Sequence, residues 1–239
     1  MTQTNQPAAF FDVDGTLTRE RVWKGMLDYF RQRKQKRGTH LLYLCLNYPT
    51  YIFRQMGIIS EVRFRTPWAA NLAWYLKGYT IEECDRIWDW IIDEYLVNYW
   101  REDSVAILRR HMEAGKPVVL VSSGPYPLIQ RIALELGTEN AVGTHLEIRN
   151  GTYTGRSLRP ICIDTFKASM AQDYLESRDI HVDLEASYAY ADSTSDLGML
   201  EMVGNPVAVY PDDGLRKEAV KRGWEIFPEG RRSSIQLRR

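Results

Sequence analysis

The sequence has little cysteine, no excess of either charge and no long uninterrupted hydrophobic run. Its three cysteines, Cys45, Cys84 and Cys162, are widely spaced, with no C-x-x-C pair and no histidine at ligand spacing. This pattern argues against a disulfide framework and a zinc site, and it favours a reducing, cytoplasmic location. Because 31 basic residues balance 31 acidic ones, no overall field favours a nucleic acid as partner.

No targeting or membrane-spanning segment is expected. The first seven residues are polar and lack the basic start and apolar core of a signal peptide. The most apolar stretch, residues 40–59, is interrupted by polar residues well before the roughly 20 apolar residues that a spanning helix needs. A basic run, RQRKQKR at 31–37, precedes it. The preferred interpretation is a solvated helix face followed by a core helix, and peripheral contact with an anionic membrane is the alternative.

Four short apolar runs bounded by turn residues predict the strands of a parallel sheet. Each is followed by a helical pattern, which is typical of alternating α/β proteins whose sheet is buried on both faces. The runs are AAFFDV (8–13), KPVVLVSS (116–123), ASYAYA (186–191) and NPVAVY (205–210). The chain of 239 residues is long enough for one large domain, or for a core domain with a smaller insertion.

The long interval between the first two runs predicts a helical insertion. From about Glu20 to Met112 the pattern is helical and rich in aromatic residues, and structureless loops of such length do not occur in compact domains. We expect the tryptophans of this interval to form a core rather than a ligand-binding box. Residues 1–19 and 104–239 are therefore assigned to an α/β core domain, and residues 20–103 to an all-helical domain.

Two further features concern the second half of the chain. Asn150-Gly151 joins two alternating segments within residues 145–156, and because both residues tolerate positive φ, this pair predicts a β-hairpin. The basic tail RRSSIQLRR, residues 231–239, is expected to fray.

Asp12 and Asp14 lie at the end of the first predicted strand, in FFDVDGT. In an open parallel sheet, reactive groups lie beyond the carboxyl ends of the strands. Two crowded carboxylates there require a cation, and oxygen ligands of this kind suit Mg²⁺. Gly15 allows a sharp turn toward a ligand, and the Thr16 hydroxyl can hydrogen-bond nearby. A turn with an aspartate cap, or a fragment of a calcium loop, is the alternative.

Three later stretches predict more polar groups at the same edge of the sheet. VVLVSSG offers Ser122, Ser123 and free N–H groups before a helix, which suits an anion. Lys167 stands near the start of a helix, where the dipole disfavours a cation unless an anion compensates it. YAYADSTSD adds Asp192 and Asp196, which could complete a magnesium site. Taken singly, each also has an ordinary explanation: an N-cap serine, a solvated lysine and an N-cap aspartate.

Taken in order, these stretches resemble the four motifs of the haloacid dehalogenase superfamily of phosphohydrolases. FFDVDGT is similar to the first motif, VVLVSS to the second, Lys167 to the third and YADSTSD to the fourth. The insertion after the first motif resembles a type 1 cap, and the hairpin before Lys167 resembles the phosphoserine phosphatase-like IB branch. The resemblance covers most of the chain. It implies a Rossmann-like parallel-sheet core with an inserted all-helical cap, and a Mg²⁺-dependent phosphatase acting on a small phosphorylated substrate.

The resemblance also implies a role for each motif residue. Asp12 would be the nucleophile that forms an aspartyl-phosphate, and Asp14 the general acid and then the general base. The implied ligands of Mg²⁺ are Asp12, the backbone carbonyl of Asp14, Asp192 and, through a water, Asp196. The implied phosphate-binding groups are Ser122, the N–H of Ser123 and Lys167.

Two departures from the phosphoserine phosphatase pattern concern the substrate. Ser193 and Ser195 stand where the fourth motif typically has Gly and Asn. Arg21 stands at the cap position where those enzymes place a Glu for the amino group of phosphoserine, and an Arg favours an extra anionic group instead. Arg63 and Arg65 are candidate contacts for an acidic substrate, with a solvated helix face as the alternative.

Three other functions stay open at this point. The substrate would be a phospholipid phosphate, such as phosphatidylglycerophosphate, if the cap meets a membrane. The phosphoryl group could pass to an alcohol instead of water. A scaffold on a degenerate fold would be expected to have lost a nucleophile or metal ligand, and the sequence retains them all. The natural substrate and the oligomeric state do not follow from these patterns.

Overall fold

A computed structural model describes residues 5–59 and 61–228, so the predicted tail at 231–239 lies outside the described residues. Six strands form one sheet in the order β3-β2-β1-β6-β7-β8, and β4 and β5 form a separate pair. The strands are β1 (Ala9–Phe11), β2 (Val118–Pro125), β3 (Asn140–Thr144), β4 (Leu146–Arg149), β5 (Thr152–Ser157), β6 (Tyr188–Ala191), β7 (Asn205–Val209) and β8 (Glu225–Phe227). The helices are α1 (Val22–Gln32), α2 (Arg37–Gln55), α3 (Glu61–Asn71), α4 (Ile81–Trp90), α5 (Glu102–Glu113), α6 (Tyr126–Leu136), α7 (Thr165–Ser177), α8 (Leu197–Glu201) and α9 (Asp213–Arg222).

The six-stranded sheet is parallel throughout and is covered on both faces. Successive residues of one strand enter two different hydrophobic clusters: Phe11 and Leu120 belong to one, and Phe10 and Val119 to the other. This alternation is what a doubly covered sheet requires. The predicted α/β class and all four predicted strands are confirmed.

Two edge strands, β3 and β8, were not predicted from the sequence. β3 contains Asn140, Gly143 and Thr144, residues that favour turns when read locally. A Cβ at Gly143 would lie 2.8 Å from the Cα of Tyr126, so the glycine permits close packing of the strand against α6. β8 has three residues, too few for a recognisable alternation.

The interval between β1 and β2 folds as helices, joined by short 3₁₀ and π segments at 72–76 and 91–98. No strand occurs in the described part of 20–113. Trp88 is fully buried, and the other tryptophans of the interval pack partly buried against the same core. The predicted tryptophan core is therefore present, although Trp23 and Trp68 also line a cavity described below. The last helix of the interval, α5, packs on β1 and β2, and the division of the chain at residues 20 and 103 stays a prediction.

Helix α2 departs from the expected core helix. Of its residues, all of them described, Tyr43 and Asn47 are buried and most of the others are exposed. The expectation was therefore wrong for most of this apolar segment, because only one narrow stripe of the helix faces the rest of the insertion. Among the residues that the structure describes, no helix is both long enough and apolar enough to cross a membrane.

The predicted hairpin is confirmed. β4 and β5 pair in antiparallel fashion, and Asn150 and Gly151 between them have φ of 51° and 74°. The hairpin also contacts the helical insertion through main-chain bonds. The Gly78 N–H donates to the Tyr153 carbonyl at 2.8 Å, and the Tyr153 N–H donates to the Tyr79 carbonyl at 2.9 Å.

Candidate active site

The sheet order places the motif residues side by side. β1 lies between β2 and β6, so the chain leaves all three strands at the same edge. The Asp12 N–H donates to the carbonyl of Tyr190 at 2.9 Å, which extends the pairing of β1 with β6. Asp192 follows β6 directly. The carboxylates of Asp12 and Asp192 thus come from adjacent strand ends, as the sequence predicted.

A tight turn after β1 brings the backbone against Asp192. Gly15 has φ of +99°, and a Cβ at this position would lie 2.0 Å from Asp192 Oδ2. The Gly15 N–H donates to the Thr18 carbonyl at 2.9 Å and closes the turn. Glycine is therefore required here both for its conformation and for the close approach of a carboxylate.

Lys167 is buried, with only 4% of its side chain exposed, so its reading as a solvated helix residue is wrong. Its Nζ lies 2.6 Å from Asp12 Oδ1 and also contacts Asp196. Burial by itself lowers the pKa of Lys167, but the two carboxylates outweigh burial and raise the pKa above its usual value. The side chain is therefore a permanent cation beside Asp12.

Both oxygens of Asp12 have partners. Oδ1 contacts Lys167, and Oδ2 accepts a hydrogen bond from Thr16 Oγ1 at 3.2 Å. Burial raises the pKa of Asp12, and Asp196 and Asp192 add to the rise, while Lys167 opposes it. A further cation at the site would favour the ionised form of Asp12.

Asp14 links the turn to the first helix of the insertion. Its Oδ1 accepts a hydrogen bond from the Val22 N–H at 2.6 Å. Burial raises the pKa of Asp14, partly offset by Arg21 and by the bond from Val22. This carboxyl group is therefore held in place and shifted toward carrying a proton.

Arg21, predicted to contact substrate, is bonded to the acidic cluster. Its Nη1 donates to the Asp14 carbonyl at 2.5 Å, and its Nη2 lies 3.3 Å from Asp192 Oδ2. Part of its charge is thus already balanced, although the side chain also lines the cavity described below. The sequence contains no local signal for these partners, which lie up to 171 positions away.

Three carboxylates fit a metal site. Oxygens of Asp12, Asp192 and Asp196 lie within 4.8 Å of one another. Asp192 Oδ1 is buried and has no hydrogen-bond partner among the described residues, and burial raises the pKa of Asp192. In their ionised forms, these three carboxylates and Asp14 exceed the two cations Lys167 and Arg21 by two charges, and the raised pKa values of Asp12, Asp14 and Asp192 reflect this crowding and their burial. An unsatisfied oxygen and this residual charge suit a divalent cation with oxygen ligands.

Two serines hold Asp196 in position. The hydroxyl oxygens of Ser193 and Ser195 are 2.6 Å apart, and they lie 2.9 Å and 3.3 Å from Asp196 Oδ2. The sequence indicated only that these serines replace Gly and Asn of the fourth motif. In the structure they orient a predicted metal ligand, whose other oxygen contacts Lys167.

The serines after β2 differ in their access to the site. Ser123 lines the cavity, whereas Ser122 is fully buried and is not among the described residues that line it. The Ser122 hydroxyl accepts a hydrogen bond from the Gly124 N–H at 3.1 Å. Pro125 precedes α6, and no side chain caps that helix in the described structure. The N-cap explanation is therefore wrong.

The motif residues open into a cavity of about 400 Å³ with a charged end and an aromatic end. The charged end contains Asp12, Asp14, Lys167, Asp196 and Arg21. The aromatic end is formed by Tyr43, Tyr51, Phe64 and Trp68, whose rings contact one another, and Trp23 also lines the cavity. Arg65 also lines the cavity, and Arg63 is not among its described lining residues. We call the aromatic residues that line the cavity its aromatic wall. The sequence does not indicate this wall, because the density of aromatic residues in the insertion indicates only a core.

Proteins of similar sequence indicate the family to which this chain belongs. The family model of haloacid dehalogenase-like hydrolases matches residues 9–201. Phosphoserine phosphatase SerB1 of Mycobacterium tuberculosis is 32% identical over 221 residues, which cover 92% of this chain and 70% of that protein. A histidinol-phosphatase of Neisseria meningitidis is 28% identical over 230 residues, covering 92% of this chain and 97% of that protein.

The fold has a similar solved counterpart. The crystal structure of a protein of unknown function from Bordetella pertussis superposes with a TM-score of 0.79 at 25% identity, covering 93% of this chain and 98% of that one. The family match spans strands β1 to β6 and the motif residues described above. The chain therefore belongs to the haloacid dehalogenase superfamily, as a phosphatase of the phosphoserine phosphatase-like type.

Proposed function

We propose that the protein is a Mg²⁺-dependent phosphatase that hydrolyses a phosphate monoester through an aspartyl-phosphate on Asp12. One observation carries the proposal: Asp12 is held by Lys167 and Thr16 inside the cavity, beside an acidic cluster with an unsatisfied oxygen. A buried carboxylate held in a single orientation next to a cation suits nucleophilic attack on a phosphoryl group.

The chain's own residues supply the proton transfers. In the first step an oxygen of Asp12 bonds to phosphorus as the bond to the leaving oxygen breaks, and Asp14 gives that oxygen its proton. In the second step Asp14 takes a proton from water, whose oxygen attacks phosphorus and frees Asp12 and inorganic phosphate. The raised pKa of Asp14 supports this double role. Lys167 neutralises charge on the phosphoryl oxygens.

Asp12, Asp192, Asp196 and the Asp14 carbonyl would hold Mg²⁺. When bound, the ion supplies positive charge that offsets the charge of the phosphoryl oxygens. Arg21 already contacts two of these four groups, Asp192 and the Asp14 carbonyl. Arg21 therefore shares the Asp14 carbonyl with the proposed metal site, while it contacts Oδ2 of Asp192 and leaves Oδ1 available.

The substrate combines a phosphate with an apolar or aromatic portion. The charged end of the cavity suits the phosphate, and the aromatic end suits the rest of the molecule. Two relatives are named for phosphoserine and histidinol phosphate, so a small phosphate monoester is the first candidate. Arg21 argues against the amino group of phosphoserine. A phospholipid phosphate is the second candidate, and the aromatic wall favours it.

The test measures release of inorganic phosphate, with and without Mg²⁺, from phosphoserine, histidinol phosphate, sugar phosphates, nucleotides and micellar phosphatidylglycerophosphate. We expect at least one magnesium-dependent substrate. Asp12→Asn should lower its turnover by at least about a thousandfold, because an amide is a very poor nucleophile. The matched control is Asp179→Asn, an exposed aspartate beyond the end of α7 opposite Lys167, which should leave turnover unchanged.

Three outcomes separate the alternatives. Full activity in a folded Asp12→Asn variant contradicts the mechanism. Phosphate recovered on an added alcohol instead of in solution identifies a phosphotransferase. If no compound of the panel is hydrolysed and calorimetry detects no Mg²⁺ binding, the result favours a scaffold without catalysis.

A further inference from the structure

Helix α2 exposes an apolar face on the side opposite its buried stripe. Tyr43 and Asn47 mark the stripe that packs against the insertion. The opposite face carries exposed apolar residues at spacings of four, three, four and four, which place them on one line of the helix. They are Leu41, Cys45, Tyr48 and Ile52 of α2 and Met56, which directly follows the helix in αR conformation. We call these five residues the outer face of α2.

The exposed apolar surface is concentrated on this helix. Seventeen large apolar side chains are exposed among the described residues, and ten of them lie between Leu41 and Ile58. Leu41 and Met56, at the two ends of the outer face, are 64% and 66% exposed. Contiguous apolar surface of this kind marks an interaction site, whereas scattered exposed residues need no explanation.

The chain segment that contains α2 carries charge of one sign, although Arg31 at its start is paired with Asp28. Residues 29–60 contain six Lys and Arg and no Asp or Glu. Five of the six fall in the run 31–37, which joins the end of α1 to the start of α2, and Lys34 and Arg37 of that run are exposed. An anionic lipid surface complements this segment. A second copy of the chain would bring the same positive charges with its own α2 and no acidic residue from that segment.

We propose that α2 docks flat on an anionic phospholipid membrane, with its outer face at the acyl boundary and run 31–37 on the headgroups. Helices that lie in the interface combine an apolar face with Lys and Arg in this way. Tyr51, on α2 and partly exposed, also lines the active-site cavity, so docking places the aromatic end of the cavity near the lipid. Given the proposed function, this favours a phospholipid phosphate as substrate.

The experiment uses the full chain and sedimentation with vesicles of phosphatidylcholine and phosphatidylglycerol, three to one, at low salt. Pure phosphatidylcholine vesicles give the uncharged reference. We expect binding to the anionic vesicles that weakens with salt. Leu41→Gln with Ile52→Gln should weaken it by at least about tenfold, since two apolar side chains leave the contact. The matched control is Leu134→Gln with Val220→Gln, on α6 and α9, where the leucine and valine are 53% and 70% exposed; it should bind like wild type.

A second pair of changes tests the charge separately. Lys34→Gln with Arg37→Gln should weaken binding by roughly fivefold per residue and reduce its dependence on salt. Both exposed positions tolerate glutamine, so circular dichroism should be unchanged. Hydrolysis of a small soluble phosphate ester should be unchanged too, so failure of docking is distinguishable from failure of the proposed function.

Two results would overturn the proposal. One is wild-type protein that stays in solution with anionic vesicles at low salt. The other is a wild-type dimer, seen by light scattering, that Leu41→Gln with Ile52→Gln converts to a monomer without any effect on vesicle sedimentation. That second result would assign the outer face to a second copy of the chain.

Discussion

At the residue scale, the contact between Gly15 and Asp192 connects backbone conformation to the acidic cluster. The turn after β1 needs a positive φ, and the carboxylate fills the space where a side chain would stand. Asp192 is also the residue whose Oδ1 is buried without a described partner. Any side chain at position 15 therefore displaces a group of the proposed metal site.

We predict that Gly15→Ala abolishes the rise in melting temperature that Mg²⁺ produces in the wild type. Gly151→Ala is the matched control, since Gly151 also has positive φ but nothing within 4 Å of its missing Cβ. The control should lose about 1–2 kcal/mol of unfolding free energy and keep its response to Mg²⁺. Gly15→Ala should lose more, because the new methyl group meets Asp192. An unchanged Mg²⁺ response in Gly15→Ala would show that Asp192 does not bind the metal.

At the element scale, a capping box starts α4 close to the contact between insertion and hairpin. The Thr80 hydroxyl accepts from the Glu83 N–H at 3.2 Å, and the Glu83 carboxylate accepts from the Thr80 N–H at 2.8 Å. The neighbouring Tyr79 carbonyl accepts the main-chain bond from Tyr153 of the hairpin. The cap thus orients both the helix and the segment that pairs with β5.

Thr80→Ala should lower the unfolding free energy by about 1 kcal/mol, because an N-cap hydroxyl is lost. Thr80→Ser keeps the hydroxyl and serves as the control, with a loss of a few tenths of a kcal/mol at most. Urea unfolding curves measure both. Equal losses for serine and alanine would mean that the threonine methyl group, and not the cap, stabilises this segment.

At the scale of the whole molecule, a buried histidine couples stability to pH. His111 lies on α5 against the sheet, and its Nε2 is 2.8 Å from the hydroxyl of Tyr190. Burial, aided by nearby Lys116, lowers the pKa of His111 to about 4. The unfolded chain, with an ordinary histidine pKa near 6.5, binds the proton more readily than the folded one. Stability is therefore lost as pH falls from about 6.5 toward 4.

Because of this difference, we expect the unfolding free energy to fall by about 2 kcal/mol through His111 as the pH is lowered from 7 to 5. In His111→Gln, which retains a group able to bond Tyr190, the fall over the same interval should be smaller by about that amount. Urea unfolding at the two pH values checks this. Identical pH dependence in the two proteins would show that folding does not lower the pKa of His111.

Much of the fold follows from local chemistry. Short apolar runs predict four of the six sheet strands, and the pair Asn150-Gly151, which tolerates positive φ, predicts the hairpin. Since parallel strands end at one edge, the sequence also predicts that Asp12 and Asp192 lie together. The edge strands β3 and β8 escape prediction, because pairing with a neighbour and not their own pattern makes them strands.

Other features depend on contacts between distant segments. The burial of Lys167 depends on α7 packing against β2 and β3, which brings its Nζ to Asp12 and Asp196, and the helix pattern alone equally allowed a solvated lysine. Three other features also depend on contacts between distant segments. They are the partners of Arg21, the burial of Ser122 and the aromatic wall of the cavity. No local pattern encodes them, because each depends on which surfaces the fold brings into contact.

The sequence by itself determined the sheet class, the hairpin, the family resemblance and the order of the acidic and basic residues along the chain, since these depend on local conformation and composition. Only the tertiary structure decided that three carboxylates converge with one oxygen unsatisfied. It also decided that α2, apolar enough to pass for a core helix, faces outward. The reason is physical: periodicity shows which side of a helix is apolar, but exposure depends on whether another element covers that side.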